Sequence, residues 1–488
     1  MIDFNILFTI FILPLIGITL LFFVSANSRK IIFNITIWIT SITFLLSIFL
    51  WIVFDSNTLF FQFIFKVKWF KALNIYYYTG IDGISLFFIL LTTFLIFLCI
   101  LTGVNLNQNY LKEYMMCFLL LEFFLLQVFC ALDILLFYIF FESVLLPMFL
   151  IIGVWGSRKR KIKAAYQFFL YTLIGSLFTL LSILIIYFET GTTDLQILWN
   201  FTFSFERQVI LWVAFFFSFA IKIPMIPFHI WLPEAHSEAP TTGSIILAGV
   251  LLKLGGYGFL RFSLPLLPEA SVYFTPLIYI LSLVAIIYAS LTTIRQIDLK
   301  KIIAYSSISH MGVVTLGLFS YNLEGLEGSI FLMLSHGLVS SALFFCIGIL
   351  YERYHTRILK YYSGLVYVMP LFVTYFLFLT FANIGFPGTC SFIGEILVFA
   401  GVFQFSTTLT ILVLFNMILS VSYSIWLCNR LNFNNLKMTY IFSFQDISRR
   451  EFYILFSLTL VILWFGLYPS IILNNLHIYV LKLLELFN

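Results

Sequence analysis

Charged side chains are scarce in this sequence of 488 residues. Asp, Glu, Lys and Arg make up only 10% of the chain, whereas 62% of the residues are hydrophobic and the mean hydropathy is +1.09. This composition excludes a soluble domain with a single core, since too few polar residues remain to cover its surface. It predicts an all-α polytopic membrane protein whose long apolar helices cross the bilayer.

Cysteine clusters and nucleotide-binding motifs are also lacking. The six cysteines have no C-x-x-C spacing, which argues against an iron–sulfur or zinc site. No strand pattern is evident, and no G-x-G-x-x-G follows a strand, which argues against a dinucleotide site. We therefore predict no metal ligands and no cofactor-binding residues in this chain.

Windows of about 20 apolar residues predict fourteen transmembrane helices. The first is interpreted as a retained span and not as a signal or transit peptide, because no basic segment precedes it and no small-residue cleavage site follows. The predicted spans are 5–24, 31–53, 81–103, 114–131, 133–154, 164–188, 208–231, 242–262, 272–293, 301–319, 329–350, 366–403 (broken), 406–428 and 452–474.

The distribution of basic residues supports this count. If the loops alternate between the two sides of the membrane, the odd-numbered loops hold 18 of the 26 Lys and Arg residues, including Lys300, Lys301 and Arg357. The other side holds six, namely Lys66, Lys68, Lys71, Arg207, Arg261 and Lys482. Because basic residues gather on one side of a membrane, this asymmetry places both termini on the less basic side.

Two of the predicted helices are interrupted. Pro224 and Pro227 break helix seven, and the sequence Gly385-Phe-Pro387-Gly388 breaks helix twelve. A break frees backbone groups that protein or a water-lined cavity must satisfy, so it is typical of a transport path. Each break falls in the fourth helix of a five-helix block. We therefore expect a single integral membrane domain, 1–488, containing two inverted repeats at about 114–262 and 272–428.

Three ionisable residues lie deep in the first block. Glu142 is about nine residues into span five, where the alternatives are a helix-end carboxylate that reaches the interface and a partner for a lysine. Lys222 and Lys253 lie well inside spans seven and eight, too far from the helix ends to reach water easily. A lysine whose carboxylate partner can approach or retreat can bind and release a proton.

Three more candidates lie in the second block. His310 is in the middle of span ten within a serine-rich stretch, and His336 is in span eleven, where a histidine satisfied by hydrogen bonds is an equal alternative. Glu395 follows the break in helix twelve and would face a hydrated cavity. Together with Glu142, Lys222 and Lys253, these groups resemble a proton path within the membrane.

Other polar residues have plainer interpretations. Glu122, in span four, is either a second partner for the lysines or a contact between subunits, whereas Asp133 and Asp298 are expected to cap helices. The basic run 158–163 is expected to set topology and to contact anionic lipid. The remaining polar residues are assigned to a loop that either takes up protons or is simply polar: His229, Glu234, His236 and Glu238.

Several of these motifs resemble the antiporter-like subunits of respiratory complex I. The resemblance covers nearly the whole chain and includes Phe140-Phe-Glu142-Ser, Lys222-Ile-Pro224, the stretch from His229 to Pro240, Leu251-Leu-Lys253-Leu-Gly-Gly256, Ala304 to Gly312, and Pro387 to Glu395. It implies a fold of fourteen helices with two inverted repeats. It also implies that Glu142 pairs with Lys222, that Lys253 and His310 form the central relay, and that Glu395 links to the exit side.

The resemblance further implies a subunit of a proton-translocating NADH:ubiquinone reductase. NADH, FMN, iron–sulfur clusters and ubiquinone would bind to partner subunits. The implied partners are other membrane-arm subunits, with antiporter-like subunits 2 and 5 as neighbours, together with supernumerary subunits and lipids such as cardiolipin, but no nucleic acid. The implied location is the mitochondrial inner membrane, with a bacterial plasma membrane as the alternative. The competing functions are an Mrp-type cation/proton antiporter subunit and a structural scaffold.

Overall fold

The computed structural model describes residues 6–70, 74–103, 110–437, 445–485 and 487. Residue 5, at the start of the first predicted span, and Lys71, counted among the loop charges, lie outside this part of the chain. The described chain forms two compact units. The first comprises Met1–Lys222, Lys253–Phe274 and Asn474–Asn488, and the second comprises Ile223–Leu252 and Thr275–Leu473.

Helices dominate the first unit because its apolar segments can satisfy their backbone groups internally. Its helices are α1 (Ile6–Phe23), α2 (Arg29–Val53), α3 (Gly83–Thr102), α4 (Leu111–Cys130), α5 (Ile134–Ser143), α6 (Leu145–Trp155), α7 (Lys161–Thr190), α8 (Leu195–Leu198) and α9 (Phe205–Lys222). After an excursion into the second unit, the chain returns to it with α12 (Leu252–Gly258), α13 (Leu264–Leu266) and α14 (Pro268–Tyr273), and it ends there with most of α22 (Ser470–Glu485).

The second unit contains the longest helix of the described chain. Its helices are α10 (Trp231–Glu238), α11 (Thr241–Ile246), α15 (Thr275–Arg295), α16 (Leu299–Leu318), α17 (Leu323–Tyr354), α18 (Pro370–Ile384), α19 (Cys390–Phe405), α20 (Thr407–Cys428) and α21 (Arg449–Leu467). The apolar centre of α17 is completely buried, and α16, α18, α19 and α21 pack around it. Helix α17 is therefore the core of this unit.

The prediction of about fourteen spans agrees with the helices observed. Eleven helices of the described chain are long and apolar enough to cross a membrane. Helices α9 and α16 and the broken pair α18/α19 occupy the remaining three predicted spans. The last predicted span, 452–474, was too long, because α21 ends at Leu467 and α22 begins as a separate helix immediately after Pro469.

Both predicted helix breaks are present. Helix α9 ends at Lys222, immediately before the segment containing Pro224 and Pro227, and α18 ends at Ile384, before Gly385. Proline has no backbone N–H to donate, so a regular helix does not continue through the first break. At the second, Gly385 adopts a left-handed conformation with φ of 81°, which glycine tolerates because it has no Cβ.

Other helix irregularities were not predicted. Span five is interrupted at Val144, where α5 gives way to α6, because Pro147 cannot donate to the carbonyl of Ser143. The span Thr241–Leu266 contains two π-helical segments, Leu247–Leu251 and Phe259–Ser263. Such π segments often occur at functional sites, and these two lie on either side of Lys253.

The expectation of no strands was wrong. Strands β1 (Gln62–Phe70) and β2 (Ile75–Ile81) pair antiparallel in the first unit, with Lys66 opposite Tyr78. The signal was present in the sequence, since Lys66 and Lys68 alternate with apolar residues at the two-residue period of a strand. The Lys66 ammonium lies 4.4 Å from the centre of the Tyr78 ring and 2.7 Å from an Asp194 carboxylate oxygen, which ties the hairpin to the helices.

Candidate functional site

Glu142 lies at the interruption of span five, one residue before the end of α5. Its side chain is partly buried and interacts with Ser176 on α7 and, electrostatically, with Lys222 on α9. The structure therefore brings the predicted carboxylate and lysine together at the point where the helix is interrupted.

Lys222 is the last residue of α9, and its side chain is only 2% exposed. Its ammonium lies 4.5 Å from the centre of the Phe141 ring, whose π face attracts a cation. Neither Lys222 Nζ nor Glu142 Oε1 has a hydrogen-bond partner among the described residues. The two groups thus attract each other without being locked into a hydrogen-bonded salt bridge.

Lys253 also belongs to the first unit and is fully buried. It lies on α12, the α-helical stretch between the two π segments of the span Thr241–Leu266. An ammonium at such a position is costly in an apolar environment. This cost makes Lys253 a candidate for proton exchange in the centre of the span.

His310 and Glu395 form a contact in the second unit. His310 Nδ1 lies 3.3 Å from Glu395 Oε1, and both side chains are 3% exposed. The His336 ring, carried by α17, is centred 5.7 Å from the His310 ring. His310 and His336 also line a cavity of about 10 Å³, a volume suited to about one water molecule. Three of the six predicted site residues therefore form one cluster.

Two glycines place Glu395 in this cluster. At Gly394, a Cβ atom would lie 2.9 Å from backbone atoms of Leu332, so only glycine lets α19 approach α17 this closely. At Gly385, a Cβ atom would lie 2.6 Å from Glu395 Oε2. The break in helix twelve thus provides both the turn and the space that the carboxylate occupies.

The sequence analysis missed polar residues around this cluster. Tyr423 on α20 is buried near Ser309, Asn383 and Glu395, and its hydroxyl has no hydrogen-bond partner among the described residues. Asn383 and Ser391 line the cavity beside the two histidines. The available signal was the concentration of polar residues from Ser420 to Ser424 within an otherwise apolar span.

A buried ion pair in the first unit was missed as well. Arg261, counted among the loop charges, is 5% exposed and contacts Asp82 through two bonds of 2.7 and 2.8 Å. Burial alone raises the pKa of Asp82, but the Arg261 guanidinium and hydrogen bonds from Ser85 hold it below its ordinary value. The sequence analysis assigned Arg261 to the membrane surface because it lies near a helix end. Its partner Asp82 is far away in the sequence, so the pair had no local signal.

The stretch assigned to a polar loop is helical. His229 lies in a short 3₁₀ segment, and Glu234, His236 and Glu238 lie on α10. His229, His236 and Glu238 are buried, whereas Glu234 forms an ion pair of 2.6 Å with Lys301. Proline at position 233 is compatible with the first turn of a helix, where its missing N–H is not needed.

The other three acidic residues singled out in the sequence form hydrogen bonds with the backbone or with a hydroxyl. Asp133 and Asp298 cap α5 and α16 by accepting backbone N–H groups, as predicted. Burial raises the pKa of Asp133 to about 6. Glu122 is fully buried in the first unit, where its Oε1 atom lies 2.6 Å from the Thr43 hydroxyl.

Comparison with known proteins identifies the family. A family model described as "NADH:quinone oxidoreductase/Mrp antiporter, TM" matches residues 131–421. The chain belongs to this family. The family's "NADH-ubiquinone oxidoreductase chain 4" from Chondrus crispus is 65% identical over 99% of this chain and 98% of the relative. The protein of the same name from Marchantia polymorpha is 60% identical over 97% and 96%.

Two solved structures have a similar fold. A chain of respiratory complex I from Thermus thermophilus with bound NADH matches with a TM-score of 0.91 and 28% identity, covering 99% of this chain and 100% of that chain. A chain of the Mrp complex from Dietzia sp. matches with a TM-score of 0.81 and 19% identity, covering 97% and 51%. The second likeness is one of fold alone.

Proposed function

We propose that this chain is a proton-translocating membrane-arm subunit of NADH:ubiquinone oxidoreductase, equivalent to chain 4 of its relatives. The observation that carries the proposal is 65% identity to such a chain over almost the full length of both proteins. The arrangement of buried ionisable groups supports it, since Glu142, Lys222 and Glu395 lie at or beside helix breaks and Glu395 contacts His310. An Mrp-type antiporter function has weaker support, because the likeness to the Mrp complex is only 19% in sequence.

In the proposed mechanism, Glu142 controls the proton on Lys222. Burial disfavours the charged ammonium, whereas an approaching carboxylate favours it. Approach of Glu142 therefore loads Lys222 with a proton, and retreat of Glu142 releases the proton. Lys253 acts as the central relay, His310 and His336 carry the proton further, and Glu395 passes it toward the exit side. The chain itself performs no redox step.

The setting of the chain follows from the same proposal. NADH, FMN, iron–sulfur clusters and ubiquinone bind to partner subunits, whose redox reaction drives proton transfer here. The neighbours are the antiporter-like subunits 2 and 5, together with supernumerary subunits and lipids such as cardiolipin, in the mitochondrial inner membrane. The chain forms one membrane domain with inverted repeats at about 114–262 and 272–428, each with a break in its fourth helix.

Substitution of the Lys222–Glu142 pair tests the proposal. We expect Lys222→Met and Glu142→Gln each to leave an assembled complex that still oxidises NADH with an artificial acceptor. Proton pumping and coupled quinone reduction should fall together by roughly a hundred-fold or more, the low end of what loss of a proton-transferring group costs. Native gels with in-gel NADH dehydrogenase staining measure assembly, and membrane vesicles measure pumping.

The exposed Lys159 provides a control for loss of a lysine charge, and Lys159→Met should pump at the wild-type rate. Unchanged pumping in assembled Lys222→Met and Glu142→Gln complexes would contradict the proposed role of the pair. Absence of the chain from the NADH-oxidising band would contradict its assignment to the complex.

A further inference from the structure

Two adjacent lysines at the start of α16 have opposite environments. Lys300 is 2% exposed, although the sequence suggests a charge at the membrane surface. Lys301 is partly exposed and forms an ion pair of 2.6 Å with Glu234. A buried lysine requires an explanation, because loss of hydration around an ammonium costs several kcal/mol. Lys301 can be compared with Lys300, because it is the same type of residue at the next position of the same helix.

The Lys300 amine is held by two neutral acceptors of the second unit. Its Nζ donates to the carbonyl oxygen of Ala239 at 2.8 Å and to Ser244 Oγ at 3.2 Å. A protonated lysine has three N–H groups to donate, and a neutral one has two. Both acceptors can therefore stay hydrogen-bonded whether or not Lys300 carries its extra proton. The site tolerates either protonation state without leaving a buried acceptor unpaired.

The charged groups around Lys300 oppose one another. Glu238 on α10 and Asp298, the cap of its own helix, favour the ammonium, whereas Arg357 disfavours it. The partial positive charge at the start of α16 also disfavours a cation. Although it has carboxylates nearby, Lys300 forms no ion pair within 4 Å among the described residues, in contrast to Lys301. The surroundings therefore stabilise the protonated form of Lys300 only weakly.

The position of Lys300 links the basic side of the membrane to the histidine cluster. It lies in one of the loop regions that carry the excess of Lys and Arg, and His310 lies ten residues further along the same helix. At 1.5 Å per residue this separation is about 15 Å along the axis. The buried hydroxyls of Ser306 and Ser307 lie on α16 between the two residues.

We propose that Lys300 is a proton-exchanging residue that takes up protons at the basic side of the second unit and supplies the helix carrying His310. The inference rests on the proposed proton-translocating function and adds a residue to it. It requires that Lys300 lose its proton in each cycle. A residue needed only for its charge or its hydrogen bonds would not have to do so.

Substitutions at Lys300 in the assembled complex separate these roles. Lys300→Arg keeps a charge and the donors but does not release its proton, because arginine remains charged in proteins. Lys300→Met removes the proton site. We expect both variants to pump at least about a hundred-fold more slowly than the wild type, the low end of the effect of losing an acid–base group. Lys301→Met should pump at the wild-type rate.

A histidine variant gives a readout that a structural role would not change. Lys300→His restores a titratable group with an ordinary pKa of about 6.5. It should recover part of the pumping rate, with a pH–rate profile shifted to lower pH relative to the wild type. If Lys300→Arg or Lys300→Met does not assemble, the pH–rate profile of Lys300→His tests the proposal instead. A profile that is not shifted overturns the inference.

The outcomes also separate the inference from the function on which it rests. Wild-type pumping by assembled Lys300→Arg or Lys300→Met, alongside a loss in Lys222→Met, overturns only the role of Lys300. Wild-type pumping by both Lys222→Met and the Lys300 variants overturns the proposed proton path itself.

Discussion

Buried carboxyl groups in this protein differ in what surrounds them. Glu142 is partly buried beside an oppositely charged lysine, whereas Glu122 is fully buried beside a threonine. Thr43 Oγ1 lies 2.6 Å from Glu122 Oε1 and 2.9 Å from the carbonyl oxygen of Thr40. A hydroxyl has one proton and a carbonyl can only accept. Both contacts are hydrogen bonds at once if Glu122 is a protonated acid that supplies the second proton.

A neutral Glu122 predicts a mild effect of Glu122→Gln. The amide can donate to Thr43 as the acid would, and no charge is lost. We expect the variant complex to assemble and to pump at a rate within about two-fold of the wild type, since the amide leaves the Thr43 hydroxyl hydrogen-bonded and the cost of an unsatisfied buried group does not arise. The proton-pumping rate is measured in membrane vesicles that contain the Glu122→Gln complex.

Glu142→Gln is the matched comparison, because it makes the same chemical change at the carboxyl that faces Lys222. It should lose pumping while Glu122→Gln retains it. A large loss in Glu122→Gln would mean that Glu122 is ionised or exchanges its proton during turnover.

At the scale of secondary structure, the helix breaks position the ionisable groups. Helix α9 ends at Lys222, which places a cation at the negative end of the helix dipole. The break between α18 and α19 places Glu395 beside His310. Gly385 contributes to the second arrangement both by its backbone conformation and by the space that its missing side chain leaves.

Because the Glu395 carboxylate occupies the space beside Gly385, we predict a specific effect of Gly385→Ala. Its Cβ would lie 2.6 Å from Glu395 Oε2, so the carboxylate would have to shift from the position in which it contacts His310. We expect coupled quinone reduction and proton pumping to fall several-fold in complexes that assemble. Steady-state rates in membranes measure the loss.

Gly388→Ala is the control for backbone strain. Gly388 also has a left-handed φ, 92°, but a Cβ there would meet nothing within 4 Å. Both substitutions incur about 1–2 kcal/mol of strain from the left-handed conformation, and only Gly385→Ala also displaces Glu395. Equal activities for the two variants would show that the contact with Glu395 has no functional effect.

At the scale of the whole molecule, contacts between distant parts of the sequence hold the first unit together. Arg261 belongs to a segment that returns to the first unit after the chain has passed through the second. Its buried pairing with Asp82 joins that segment to the start of α3, which Asp82 also caps. A single surviving partner of such a pair would be a buried, uncompensated charge.

Removal of one partner should therefore destabilise the chain strongly. We expect Arg261→Met to cost about 3–5 kcal/mol, the range for breaking a buried ion pair, and to lower the yield and the thermal stability of the complex. Adding Asp82→Asn should recover part of the loss, because it removes the unpaired charge and keeps an oxygen for the cap. The double-mutant cycle measures this coupling.

The Arg207–Glu189 pair provides the comparison, because its side chains are 46% and 32% exposed. Arg207→Met should change stability by less than about 1 kcal/mol, as is usual for exposed pairs. Equal effects of Arg207→Met and Arg261→Met would contradict the structural importance of the buried pair.

Much of the fold was predictable because its signals are local. Long apolar runs gave the spans, and prolines and glycines gave the two breaks. The interruption at Val144 had an equally local cause in Pro147 and was overlooked, as was the alternation around Lys66 that forms a strand. The polar run from Ser420 to Ser424 marked this part of α20, but the clustering of Tyr423 with His310 and Glu395 was not predictable from it, since it depends on how α16, α19 and α20 pack.

The sequence by itself determined where the helices run and where they break, because apolar length and the missing N–H of proline act on neighbouring residues. It also indicated that ionisable groups lie in apolar spans. Only the tertiary structure decided which of these groups meet. His310 reaches Glu395, and Lys300 is buried while Lys301 is not, because burial and pairing depend on segments far away in the chain.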